Sequence, residues 1–140
     1  PGVPLVPVAE MEVEAAAGGG AFANEVVDEK ARWYLPEAMV RHEGHADPET
    51  LRILRVRGDS MEPRMREGDR LLVDTARRLP ATGELFVLFD GTGLVVKRVE
   101  MVPGEARIRL LSANPAYGPY TALGEEVHVV GKVVWVLSRM

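Results

Sequence analysis

From Leu51 to the C-terminus, short apolar runs are separated by turn residues at close spacing, and this pattern constrains the fold more than any other feature. Leu51–Arg57, Leu71–Asp74, Glu84–Phe89, Leu94–Met101, Ala106–Ser112 and Glu126–Ser138 each read as a strand. Between them lie Gly68-Asp69, Pro80–Gly83, Asp90-Gly91-Thr92-Gly93 and Pro103-Gly104, of which Asp90–Gly93 is a strong hairpin turn. Asn114–Tyr120, rich in proline, reads as a loop. Leu51–Arg57 and Glu126–Ser138 carry apolar residues on both faces and therefore need cover on both sides. The expected fold is mostly β: a twisted, largely antiparallel sheet with one short helical turn following Gly58.

The first fifty residues read differently. Three prolines within residues 1–13 favour extended backbone. Ala15-Ala16-Ala17-Gly18-Gly19-Gly20 offers nothing to a core and is expected to be an exposed loop. Arg32–Leu35 reads as a short strand, Pro36–Val40 as one or two helical turns, and Arg41–Glu49 as a polar insertion. This divides the chain into an arm, residues 1–50, and a core, residues 51–140. Because it opens on Pro1-Gly2-Val3 without a methionine, the chain is expected to be part of a longer one.

Charge narrows the function. A formal net charge of −4 leaves no basic surface for gripping phosphates, so any DNA reading is expected to lie elsewhere. The absence of cysteine excludes disulfides, thiolate metal sites and a catalytic thiol. No run approaches the roughly 18 apolar residues of a membrane span. The expected location is the cytoplasm.

Two positions carry chemistry. Gly58-Asp59-Ser60-Met61-Glu62-Pro63 places a serine at a strand-to-helix corner. There Asp59 or Ser60 either caps the turn or, with Ser60 as nucleophile, leaves backbone N–H groups free for an oxyanion. In Leu94–Met101, alternation places Lys97 on one face between Val95 and Val99. Such a lysine either snorkels to an edge or is buried, and burial disfavours its charged form. At the reference pKa of about 10.4, roughly one lysine in a few thousand is neutral at pH 7. A pKa near ~8 makes about a tenth neutral, enough to deprotonate a serine. No histidine competes well for the role of base. His42 and His45, with Asp47, fall in the polar loop, and His128 lies in the closing strand. No metal or cofactor is expected.

Val56–Asp74 (VRGDSMEPRMREGDRLLVD) resembles the Ser-Met-x-Pro box of the LexA, phage-repressor and UmuD family of self-cleaving peptidases. Leu94–Val99 (LVVKRV) is similar to that family's lysine strand, Ser112–Tyr120 (SANPAYGPY) to its Asn-x-Ala-Tyr-x-Pro loop, and Val129–Leu137 (VVGKVVWVL) to its closing strand. The resemblance implies a LexA-like β fold and a Ser60–Lys97 dyad. It also implies an oxyanion site from the Asp59 and Ser60 amides, and a scissile bond at Ala17-Gly18, where a flexible tether is the plainer alternative.

It further implies a dimerising C-terminal domain of a helix-turn-helix repressor, cleaved with stimulation by a RecA–single-stranded DNA filament after DNA damage. DNA would then be met only through the upstream domain, and no membrane is involved. A UmuD-like polymerase subunit, a signal peptidase and a non-cleaving dimerisation module with a vestigial site are the competing readings. Alternation along the closing strand places Val129, Val133 and Trp135 on one apolar face. A second copy is expected to cover that face, with Trp135 as anchor.

Overall fold

The computed structural model describes residues 2–15 and 29–140. Among the described residues, nine strands form a single sheet: β1 (Leu5–Ala15), β2 (Glu29–Pro36), β3 (Leu51–Val56), β4 (Arg70–Asp74), β5 (Leu85–Phe89), β6 (Leu94–Met101), β7 (Arg107–Leu111), β8 (Tyr120–Leu123) and β9 (His128–Leu137). Their spatial order is β2-β1-β3-β4-β9-β5-β6-β7-β8. The last strand in sequence thus fills the middle of the sheet, antiparallel to β4 on one side and β5 on the other. Every pairing is antiparallel except β1 with β3. The mostly β, largely antiparallel class read from the sequence is the class observed.

The hairpin between β5 and β6 forms because Asp90 organises it. Its Oδ1 accepts the backbone N–H of Thr92 (2.9 Å) and of Gly93 (3.0 Å) together with the Thr92 hydroxyl (2.7 Å). Gly91 takes φ 98°, a left-handed conformation that side chains with a Cβ resist.

The sheet is covered on both faces, as the two-sided apolar strands require. Leu54 and Val56 of β3, Leu71 and Val73 of β4, Val87 of β5, Leu94 and Val96 of β6, and Val130 and Val133 of β9 bury into one cluster with Met61 and Met65. On the opposite face Val6, Val8, Leu51, Ile53 and Leu72 pack under Val40 and Ala46. These belong to the π-helical turn Ala38–Glu43 and the segment after it. A third cluster, Phe86, Leu88, Val99, Ile108 and Leu110, lies at the β5–β8 end.

Alternation along β9 does not hold, and two β-bulges are the reason. The register shifts opposite Val87/Leu88 and again opposite Leu72/Val73, and each shift moves the following side chains to the other face. Val133 is consequently buried in the chain's own first cluster, at 9% exposure, with Val130. Trp135 lies with Val134 and Leu137 against the second, so close to Gly44 that a Cβ there would stand 2.6 Å from its ring. Cover for these two comes from within the chain; Val129 is half-buried beside the third cluster.

Candidate active site

Ser60 sits where β3 ends and a single turn begins. Gly58, at φ 81°, bends the chain out of the strand. The turn then closes through Glu62 N–H to the Asp59 carbonyl (3.1 Å) and Met65 N–H to the Met61 carbonyl (2.9 Å). Met61 and Met65 are both buried in the first cluster, so they nail the turn to the core and leave Ser60 half-exposed above it. The Glu62–Pro63 peptide is cis. Asp59 does not cap the turn. Its carboxylate accepts the Tyr117 hydroxyl (2.5 Å), a contact that pushes the Tyr117 hydroxyl above its ordinary pKa. Within the described residues the Asp59 and Ser60 amides donate no hydrogen bond.

Lys97 is buried at 6% exposure. Leu94 and Val96 point into the first cluster while Val99 belongs to the third and Val95 packs against it, so Lys97 occupies the valine-flanked face that alternation assigned to it. Burial lowers its pKa below the usual lysine value, and the nearby Asp90 carboxylate pulls the other way. The amine donates to Ser112 Oγ at 2.6 Å rather than to Ser60. The Tyr120 ring stands over it, 6.0 Å from Nζ to the centroid. Tyr120 in turn donates its hydroxyl to Asp90 Oδ2 (2.5 Å). Burial and that hydrogen bond hold the Tyr120 phenol protonated well above its ordinary pKa. Burial pushes Asp90 up, but the bonds from Tyr120, Thr92 and Gly93 outweigh it, and the net direction is down.

The segment after β7 joins the two positions. Ser112 holds Lys97, and two residues on, Asn114 donates its N–H to the Ser60 carbonyl (3.0 Å) and its side-chain amide to the Asp59 carbonyl (3.0 Å). Ser60 and Lys97 are thus tied to opposite ends of one three-residue stretch. Ser112 and Tyr120 were read only as the ends of a loop and Asp90 only as the head of a turn, with no role at Lys97. Only the register signals Ser112: Arg98 pairs with Leu111, so Ser112 comes next opposite Lys97.

Ala17-Gly18 lies outside the described residues. The described chain breaks off at Ala15, which pairs with Val56 of β3 in parallel register. His42 and His45 are exposed, Asp47 turns back to accept the Glu49 N–H (2.8 Å), and His128 is exposed with its ring tilted against Phe89. Among the described residues no His, Asp and Glu side chains converge as a metal site.

Residues 7–134 match the Peptidase S24-like family. The chain is 31% identical over 130 residues to the 26 kDa repressor protein of Escherichia phage HK022, a match covering 89% of this chain and 54% of that protein. It is 34% identical over 131 residues to the HTH-type transcriptional regulator PrtR of Pseudomonas aeruginosa, covering 89% and 50%. With the repressor protein CI of Enterobacteria phage phi80 it shares 27% over 124 residues, covering 89% and 52%. The chain therefore spans about half the length of the curated relatives it matches. With that match running through β1 to β9 and including both Ser60 and Lys97, the chain belongs to the Peptidase S24-like family.

Proposed function

We propose that this chain is the C-terminal regulatory domain of a transcriptional repressor and cleaves itself at Ala17-Gly18, with Ser60 as nucleophile and Lys97 as base. The observation that carries the reading is the parallel pairing of β1 with β3. Parallel strands leave a sheet at the same end, so the chain departs toward Ala17 from beside Val56, four residues before Ser60. Two residues of extended chain span about 7 Å, a length that supports attack on the Ala17 carbonyl by the serine of the same molecule.

Neutral Lys97 takes the hydroxyl proton of Ser60 as Oγ attacks the Ala17 carbonyl carbon. The tetrahedral oxyanion accepts the Asp59 and Ser60 amides. Its collapse breaks the bond to Gly18, and the Lys97 ammonium protonates the departing amine. Water then attacks the Ser60 ester, its proton passing to Lys97 and on to the Ser60 oxygen, which restores the serine.

The repressor assignment rests on the names of the relatives, and the part of the protein that reads DNA is proposed to be a helix-turn-helix domain upstream. The domain is proposed to act in the cytoplasm as a dimer, with the Val129 end of β9 near the contact. A RecA–single-stranded DNA filament is proposed to stimulate cleavage by favouring the loop position that brings Ala17 to Ser60.

The test is incubation without protease across a pH series to pH ~10, where more Lys97 is neutral. A fragment whose N-terminus is Gly18, absent from Ser60→Ala and Lys97→Ala, is the expected product. An intact chain throughout would leave a dimerisation module with an unused site, and a cut elsewhere would relocate the scissile bond.

A further inference from the structure

A base must do more than lose its proton. It must aim its lone pair, and a primary amine at the end of four methylenes does not aim itself. Neutral amine nitrogen has two N–H donors and a single lone pair, so one well-placed acceptor confines the lone pair to the two tetrahedral positions that remain. At Lys97 that acceptor is the Ser112 hydroxyl, 2.6 Å from Nζ. Ser112 is the next residue after β7 and stands opposite Lys97 in the β6–β7 register. The stretch it begins is clamped to the Ser60 turn by both nitrogens of Asn114.

The chemistry of the partner matters as much as its place. A carboxylate at this distance would hold the ammonium form and oppose proton loss, whereas a hydroxyl accepts the N–H without adding charge. The charged and titratable groups that face Lys97 are few. Asp90 and Tyr120 are bonded to each other above it. On the same face, one strand beyond Phe86, Lys132 is paired with Glu84 at 3.1 Å. None of them touches Nζ, so the Ser112 hydroxyl is its hydrogen-bond partner among the described residues.

We propose that Ser112 is a positioning residue for the self-cleavage reaction: its hydroxyl accepts one N–H of Lys97 and thereby directs the remaining lone pair toward Ser60. The proposal rests on the self-cleavage reading above.

Two measurements on the full chain test it. The first follows the pH profile of self-cleavage in the parent, Ser112→Ala, Ser112→Thr and Ser112→Asp. The alanine variant is expected to cleave about 10- to 100-fold more slowly on its high-pH plateau, the cost of a misaligned catalytic group. The threonine variant, which keeps the hydroxyl, is expected to recover most of that loss. The aspartate variant is expected to move the midpoint to higher pH. The second measurement follows the Lys97 titration through its 13Cε shift in the uncleavable Ser60→Ala background, where Ser112→Asp is again expected to raise the midpoint.

Equal losses in the alanine and threonine variants, or a parental rate in the alanine variant, would overturn the proposal. So would an aspartate variant whose midpoint does not move. A parent that never cleaves while the 13Cε midpoint still responds to Ser112→Asp overturns the self-cleavage reading, and the catalytic use of Ser112 with it, but leaves the Lys97–Ser112 contact in place.

Discussion

At Lys97, two opposing influences set the pH at which the chain is expected to act. Burial lowers the pKa and the Asp90 carboxylate raises it. The active form is the neutral amine, so the rate should climb as pH rises through this pKa. Removing the charge in Asp90→Asn takes away the opposing influence found among the described residues. The midpoint of self-cleavage should then fall to lower pH in a rate–pH series, and a midpoint that stays or rises would show that Asp90 does not act on Lys97. Lys97→Met replaces the buried amine by an apolar chain of similar length. It should abolish cleavage and melt no lower than the parent in a thermal scan at neutral pH; a fall of many degrees would make Lys97 a structural residue. Ser60 and Lys97 were legible because each sits in a local pattern, a serine at a strand-to-turn corner and a lysine between valines. Ser112, Asp90 and Tyr120 were read only as parts of a loop and a turn, because their contacts around Lys97 come from strand pairing and from residues far away in sequence.

The same division runs through the elements. β5, β6 and the Asp90–Gly93 turn follow from apolar runs bounded by turn residues, and their observed ends fall within a residue of the reading. β8 was missed, since Tyr120–Leu123 follows a proline- and glycine-rich loop and has few apolar residues to mark it. β1 reads as extended chain, but nothing in its composition announces a parallel partner more than forty residues away. β9 is the instructive case. Its apolar run is plain, yet two bulges reassign its faces, and what looked like a surface awaiting a partner is largely covered by β3, β4 and the turn at Ala38–Glu43. The bulge region also brings β9 close to β4: a Cβ on Gly131 would lie 2.5 Å from the Asp74 carbonyl oxygen. Backbone does not yield as a side-chain tip does. Gly131→Ala should therefore destabilise the chain by about 1–3 kcal/mol in urea unfolding, and an unchanged midpoint would mean that β9 shifts to make room.

At the scale of the whole molecule, the parallel pairing of β1 and β3 favours a proposed reaction within one chain. Self-cleavage should be first order, with a half-life unchanged over a hundred-fold dilution followed by mass spectrometry. Mixing Ser60→Ala with Lys97→Ala chains should restore no activity; recovery on mixing would mean that the serine of one chain is served by the lysine of another. The dimer proposed for the domain is a separate matter, checked by sedimentation at micromolar concentrations, where a strict monomer would remove it.

β1 carries one more consequence. It is an inner strand, flanked by β2 and β3, with Val6, Val8 and Glu10 all buried. The Glu10 carboxylate, 2% exposed, takes the Trp33 indole N–H at 2.7 Å on one oxygen and pairs with Arg70 at 3.3 Å on the other. A break in the backbone at Ala17-Gly18 removes none of these contacts. Severing the chain and separating the pieces are therefore distinct events with distinct clocks. A freshly nicked sample should run as two fragments on a denaturing gel while still eluting as one particle from a sizing column. Glu10→Gln, which surrenders the ion pair, should shorten the interval between the two. Whatever lies upstream of residue 1 would be let go at the pace of a strand leaving its sheet, which gives a cut the character of a fuse rather than a switch.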